Sequence, residues 1–438
     1  MNTNKRFSIF QIAMIAIFGL LALAGVVAFA TYRAPEPASM IGKVDIWGTY
    51  DADMFNRYLR ELKEQDESLK KVSYRELDPS DFRQDVLEAM ASGNSPDLLF
   101  IPEYVLYPYL DKIVTIPSSS YSRSDFINNF VDASEIYFQN DGIVGLPLAV
   151  DPLVVYWNRD IFASAGVPRP PSSWTEYFSL AQKLSQVDES LSIKQSAIAL
   201  GESDNINYFR EIMATLILQI GNPIISRDED GRLRAQLEGD RDTESAQAAV
   251  RFFTEFSNAS KAAYSWNRSM PTSRDAFLAG DLAIYLAPIS DIFSIRVANP
   301  NLNFAIAEIP SVDTTISRRK AVYATLYGFV IPKVSDNRGG AYQAAIALTS
   351  DQGVRTFTGI TGLGPARRDQ TAESSEEAYR DIVKREALYA QTFLDPQYQS
   401  TQQVLADMVE YVTSGQRSIS NALYVSNAAL RTVINNAK

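Results

Sequence analysis

The chain has 438 residues, enough for two lobes or domains, and carries 52 acidic against 41 basic residues, a formal net charge of −11. A surface that acidic repels phosphate backbones and argues against nucleic acid as a partner. Cysteine and histidine are both absent, which removes disulfides, thiolate nucleophiles, imidazole metal sites and every His-dependent triad.

Lys5 and Arg6 precede an uncharged, mostly apolar run from Ile12 to Ala30. At about 1.5 Å per residue, roughly 19 residues cover most of a hydrocarbon core of about 30 Å, whereas a secretory signal has an apolar stretch of about 7–15 residues. The run is therefore expected as a retained N-terminal transmembrane helix, with residues 1–40 forming cytoplasmic tip, anchor and linker and the bulk of the chain extracytoplasmic. Ala28-Phe29-Ala30 also suits signal peptidase, and cleavage there would leave the compartment unchanged.

Beyond the linker, strands and helices alternate. Lys43–Trp47 reads as a buried strand, and Met54 to Gln65 as a helix with Met54, Phe55, Tyr58, Leu59 and Leu62 on one face. Val72–Glu76 is the second strand. Asp78-Pro79-Ser80 opens a helix that Gly93 stops, and Leu98–Ile101 is the third strand. This βαβαβ order predicts an open, mostly parallel sheet, in which ligands bind outside the carboxyl ends of the strands; Trp47–Asp51 and Ile101–Tyr104 then lie at the binding edge. Between Gly142 and Asn158 the sequence is strand-forming but holds Pro147 and Pro152, which predicts two strands meeting at a bend near Asp151. Helices follow at Asn158–Phe162, Trp174–Leu184, Tyr208–Gln219 and Thr243–Ser257, with a polar hairpin or loop over Gly221–Asp240. A short helix ending at Gly280 leads into a strand, Leu282–Leu286. Tyr323–Ile331 reads as a strand and Gly339–Thr349 as a helix. Gln403–Thr413 and Ile419–Asn435 are helices parted by Gly415.

The string from Pro147 to Phe162, PLAVDPLVVYWNRDIF, followed by Ala165-Gly166-Val167-Pro168 and Ser173-Trp174-Thr175-Glu176-Tyr177, resembles the signature of family 1 extracellular solute-binding proteins. These are the sugar-type, maltose-binding-protein-like receptors of ABC importers. Gly93–Leu99, Phe277–Ile284, Gly328–Pro332 and Gly362–Arg367 match further motifs in the family's order, so the resemblance runs from Val44 to the C-terminus. It implies an α/β, two-lobed periplasmic-binding-protein fold, type II-like, with lobe I at 41–150 plus 325–375 and lobe II at 151–324 plus 376–438. The chain departs from the family at Trp157, at Pro152, and at Ile289 and Gln402-Gln403, where sugar binders carry aromatic residues. These changes weaken the case for a maltodextrin.

The resemblance further implies a monomer that binds a small molecule, a carbohydrate by preference, and delivers it to an ABC permease without chemistry, cofactor or metal. The ligand-binding residues it points to are Trp47, Asp51, Glu103, Tyr104, Asp151, Asn205, Asn207, Tyr208, Ser290, Asp291, Gly362, Gly364 and Arg367. Asp151 stands out, because an acidic residue between apolar strands needs a partner. Asp51 equally suits a helix cap, Trp47 a core position, and the two asparagines turn positions. A surface binder of peptides or partner proteins and a glycosidase using paired carboxylates are the competing classes.

Overall fold

A computed structural model describes Met14 and residues 41–437, apart from 140–141, 229, 241–244, 313–319 and 376. Of the expected membrane helix only Met14 is among the described residues, in which no helix is long and apolar enough to cross a membrane.

Strand β1 (Val44–Gly48), helix α1 (Ala52–Gln65), β2 (Val72–Glu76), α2 (Phe82–Ser92) and β3 (Leu98–Pro102) follow one another as the hydrophobic periods dictate. Asp51 caps α1, its carboxylate accepting from the Met54 N–H at 2.8 Å, and the helix buries Phe55, Tyr58, Leu59 and Leu62. Helix α2 starts at Phe82 because Asp78 spends its carboxylate on the preceding turn, accepting from the Ser80 N–H at 2.8 Å. Gly93, at φ 77°, ends it in the left-handed conformation. β1 pairs in parallel with β2 and β3.

The two strands expected to meet near Asp151 are one. One strand, β4 (Leu146–Asn158), runs unbroken for 13 residues through both prolines. Pro147 lies opposite Gly328, where the register shifts, and Pro152 lies where the strand exchanges one neighbour for another. Pro152's carbonyl accepts from the Ile289 N–H at 3.0 Å. Prolines at an irregularity and at a change of partner break no regular ladder.

The remaining elements that matter here are β5 (Ile193–Ile198), α3 (Phe209–Gln219), β6 (Leu282–Pro288), α4 (Asp291–Ala298), β7 (Val322–Val330), α5 (Asp351–Thr361), α6 (Ala378–Leu388), α7 (Tyr398–Thr413) and α8 (Ile419–Asn436). The strands join in the order β2-β1-β3-β7-β4-β6-β5. Residues 146–152 of β4 pair antiparallel with β7, and residues 153–157 with β6. β7 pairs with β3 through Tyr327–Val330, while its first residues, Val322 and Tyr323, pair with Ala390 and Gln391.

Each half of the sheet carries its own aromatic core. In the first, Phe100 packs against Phe55 and Phe329 at 5.0 and 4.9 Å; in the second, Phe277 stacks on Tyr285 at 5.5 Å. Helix α3 is buried over all its residues and packs on β7. Two lobes thus share two continuous strands. The polar stretch after Gly221 forms the hairpin Ile225–Arg227 with Leu233–Ala235.

Candidate ligand site at the strand crossover

Asp151 lies opposite Thr325 where β4 and β7 pass between the lobes. Side chains alternate along a strand and cross-strand partners share a face, so Asp151, Thr325 and Tyr327 look the same way. Asp151 is buried, and the Ser290 N–H donates to its Oδ1 at 3.1 Å. Burial pushes its carboxyl up to about 6, with the neighbouring Asp291 charge adding to the effect and the Ser290 hydrogen bonds opposing it.

Asp291 is held from both sides. Its Oδ1 accepts from the Tyr208 hydroxyl at 3.0 Å and its Oδ2 from the Tyr285 hydroxyl at 2.9 Å. Tyr208 adopts φ 57°, a left-handed conformation that a bulky side chain takes only under constraint, and it stands immediately before α3.

Tyrosines wall the space around these two carboxylates. Tyr50 meets Tyr327 edge to face at 5.5 Å, and Tyr104 meets Tyr398 across the lobes at 4.9 Å. Burial raises the hydroxyl pKa of Tyr50, Tyr104, Tyr208 and Tyr327, Tyr104 to about 12, and the charge of Asp151 adds to each. The Tyr398 hydroxyl donates to Glu211 at 2.8 Å. Beside it a cavity of about 480 Å³ opens between Asn207, Tyr208, Glu211, Tyr398, Gln402 and Gln403, a size typical of small-molecule sites. Elsewhere, Phe293 of α4 reaches Gly362, whose φ of 75° leaves its open side to the ring.

The residues singled out from the sequence divide accordingly. Tyr104, Asp151, Tyr208, Ser290, Asp291 and Gly362 gather at the crossover, and Asn207 lines the cavity while accepting from the Arg274 N–H at 3.0 Å. Glu103 turns inward: its carboxylate is fully buried under the crossover. Trp47 is half-buried beneath the Arg75 guanidinium, its rung partner, at 5.0 Å. Asp51 is exposed and caps α1. Asn205 spends its amide within lobe II, donating to the Asn267 and Met270 carbonyls at 2.9 and 3.0 Å and accepting from the Trp266 ring N–H at 3.0 Å. Gly364 pairs with Val150, and Arg367 pairs with Asp369 at 2.7 Å. Trp174 is buried in front of its helix, its ring N–H donating to Gln219 at 2.8 Å.

Tyr50 lies within the segment Trp47–Asp51 expected at the binding edge, whereas Tyr327, Glu211 and Tyr398 were not among the residues the sequence pointed to. Alternation along β7 was a usable signal for Tyr327, since Tyr323, Thr325 and Tyr327 share a face. No local pattern marks Tyr398, which reaches the cleft only because α7 folds back beside α3.

The family described as bacterial extracellular solute-binding protein matches residues 58–385. A Brucella abortus (strain 2308) protein named as a binding protein is 28% identical over 96 residues, 22% of this chain and 23% of its own length. The chain therefore matches less than a quarter of that relative. Among solved structures, the cyclic alpha-maltosyl-1,6-maltose binding protein from Arthrobacter globiformis superposes with a TM-score of 0.73 at 16% identity, over 90% of this chain and 99% of its own. The sugar-binding protein MalE from Xanthomonas citri gives 0.72 at 17% identity, over 90% and 98%. A substrate-binding protein from Listeria monocytogenes in complex with cycloalternan gives 0.66 at 15%, over 90% and 99%. At such identities the likeness is one of fold.

Proposed function

The chain belongs to the bacterial extracellular solute-binding proteins, and from that premise we propose that it is the receptor of an ABC importer, closing its lobes around a neutral oligosaccharide. The observation that carries this reading is the position of Asp151: a buried carboxylate at the strand crossover, ringed by tyrosines from both lobes. A sugar offers C–H faces to the tyrosine rings and hydroxyl donors to Asp151, Asp291 and Glu211. The nearby guanidinium of Arg210 is already engaged by Asp395 and Glu211, which favours donor-rich neutral ligands over acidic ones. The three structural neighbours named above bind saccharides, which agrees with this chemistry.

Contacts made to both lobes only when they are together would drive closure. Lobe I comprises residues 41–150 plus 325–375 and lobe II 151–324 plus 376–438, the crossover strands acting as hinges. The N-terminal apolar run retains the receptor beside its permease, at high effective concentration.

A thermal-shift series on residues 41–438 tests the reading, with maltotetraose, a cyclic maltosyl-maltose and cycloalternan set against amino acids and short peptides. A saccharide should raise the melting temperature in proportion to its occupancy. A shift produced by peptides and by none of the saccharides would reassign the cleft.

A further inference from the structure

The polar groups beneath the cleft form one connected path from lobe I into lobe II. Glu103, just after β3, is fully buried. Its Oε1 accepts from the hydroxyls of Tyr323 at 2.6 Å and Thr392 at 3.1 Å, and its Oε2 from the Leu326 N–H at 2.7 Å. Tyr323 and Leu326 belong to the crossover strand β7. The Tyr323 hydroxyl accepts from Arg210 at 2.9 Å, and that guanidinium also bonds Asp395 at 2.5 Å and Glu211 at 3.2 Å. The rings of Tyr323, Phe393 and Tyr398 flank it. Glu211 in turn holds Tyr398 in the cavity wall.

We propose that Glu103 is a positioning residue whose ionised carboxylate clasps β7 to lobe I and, through Tyr323 and Arg210, sets the Glu211–Tyr398 wall of the ligand cavity. The network sets three carboxylates against one guanidinium, and Glu103 and Asp395 are fully buried, so a proton is readily taken up. Burial pushes Glu103 up to about 7, with Tyr323, Leu326 and Arg210 pulling it down. Arg210, Tyr323, Leu326 and Thr392 face the carboxylate, and Tyr104, Tyr137 and Tyr327 also feel its charge. Protonation turns a charged acceptor into a neutral one, so the bonds from Tyr323, Thr392 and the Leu326 N–H all weaken, and a proton on Oε1 would also take a lone pair that one of the two hydroxyls uses; the clasp slackens. The lobes then move more freely at mildly acidic pH.

The inference rests on the solute-binding reading only in requiring lobes that move, and its test uses no ligand. Because the chain lacks cysteine, Asp53→Cys and Val297→Cys, both at exposed positions, give one label pair across the lobes. The distance distribution, recorded from pH 5.5 to 8.5, should broaden as pH falls through about 7. Glu103→Gln should abolish the transition, with its fold checked by circular dichroism, whereas Asp151→Asn should keep it. Thr392→Val removes one donor and leaves the charge, so it should move the midpoint up by about half a pH unit. A pH-invariant distribution in the parent overturns the proposal, as does a Glu103→Gln protein that titrates like the parent. An unmoved midpoint in Thr392→Val overturns it even if Glu103→Gln does not fold. Failure of the saccharides to shift the melting temperature would bear on the ligand reading alone.

Discussion

Replacing Asp151 by asparagine should stabilise the protein above neutral pH while costing it its ligand. The carboxylate is buried, receives the Ser290 N–H at 3.1 Å, and lies near a second carboxylate, Asp291. Its folded pKa of about 6 stands above the ordinary 3.8. A rise of roughly 2 units corresponds to about 3 kcal/mol. Below the ordinary value the group is protonated in folded and unfolded chains alike, and no penalty arises. As pH climbs towards 6 the unfolded chain releases its proton first, so stability falls, and above 6 the whole penalty stands. Asparagine has no such titration, and the hydrogen bonds to the ionised carboxylate are already contained in its folded pKa. The variant should therefore match its parent below about pH 4 and exceed it by about 3 kcal/mol at pH 8. Urea unfolding at a series of pH values measures the difference directly. Glu103 and Glu386, both pushed up to about 7 by burial, titrate in either chain and cancel from the difference. A difference that does not grow with pH, or that has the opposite sign, would refute the reasoning. The same variant should bind saccharide at least about tenfold more weakly, since a neutral amide replaces a charge-assisted acceptor.

Three further outcomes are expected. Tyr398→Phe, which removes the hydroxyl bonded to Glu211, should cost about 1 kcal/mol of stability and weaken saccharide binding several-fold by calorimetry; Tyr398→Ala should abolish the heat of binding. Gly328→Ala would place a Cβ 2.3 Å from the Tyr137 hydroxyl and 2.9 Å from the Leu146 carbonyl oxygen, spreading the two crossover strands. A loss of about 1–3 kcal/mol in denaturant is the expected result. Gln219→Leu should cost about 2–4 kcal/mol and alter tryptophan emission, because Gln219 alone answers the Trp174 ring N–H at 2.8 Å and donates to the Pro310 and Ala321 carbonyls at 2.9 Å each.

The alternating period of Val44–Ile101, the cap at Asp51 and the stop at Gly93 are properties of short stretches, and the first three strands with their two helices stood in the sequence for that reason. That Asp151 needs a partner was legible too, because a carboxylate inside an apolar run must be answered by something distant. What answers it, the Ser290 N–H 139 residues further on, could not be read locally, nor could the tyrosines of the cleft. Tyr50, Tyr327 and Tyr398 come from three places along the chain, and only the sheet order and the return of α7 bring them together.

The same holds for the expected break between two strands. Pro152 breaks a strand in isolation, yet here the exchange of β7 for β6 as neighbour lets β4 run through. Glu103 and Asn205 have the residue types of ligand contacts, and local sequence does not say which way a polar side chain turns. That was decided by the buried partners each must satisfy: the donating hydroxyls and N–H over Glu103, and the accepting carbonyls and donating indole around Asn205. Periodicity and caps follow from neighbours within a few residues and so belong to the sequence by itself. The partners of buried polar groups lie up to hundreds of residues away, and only the folded chain assigns them.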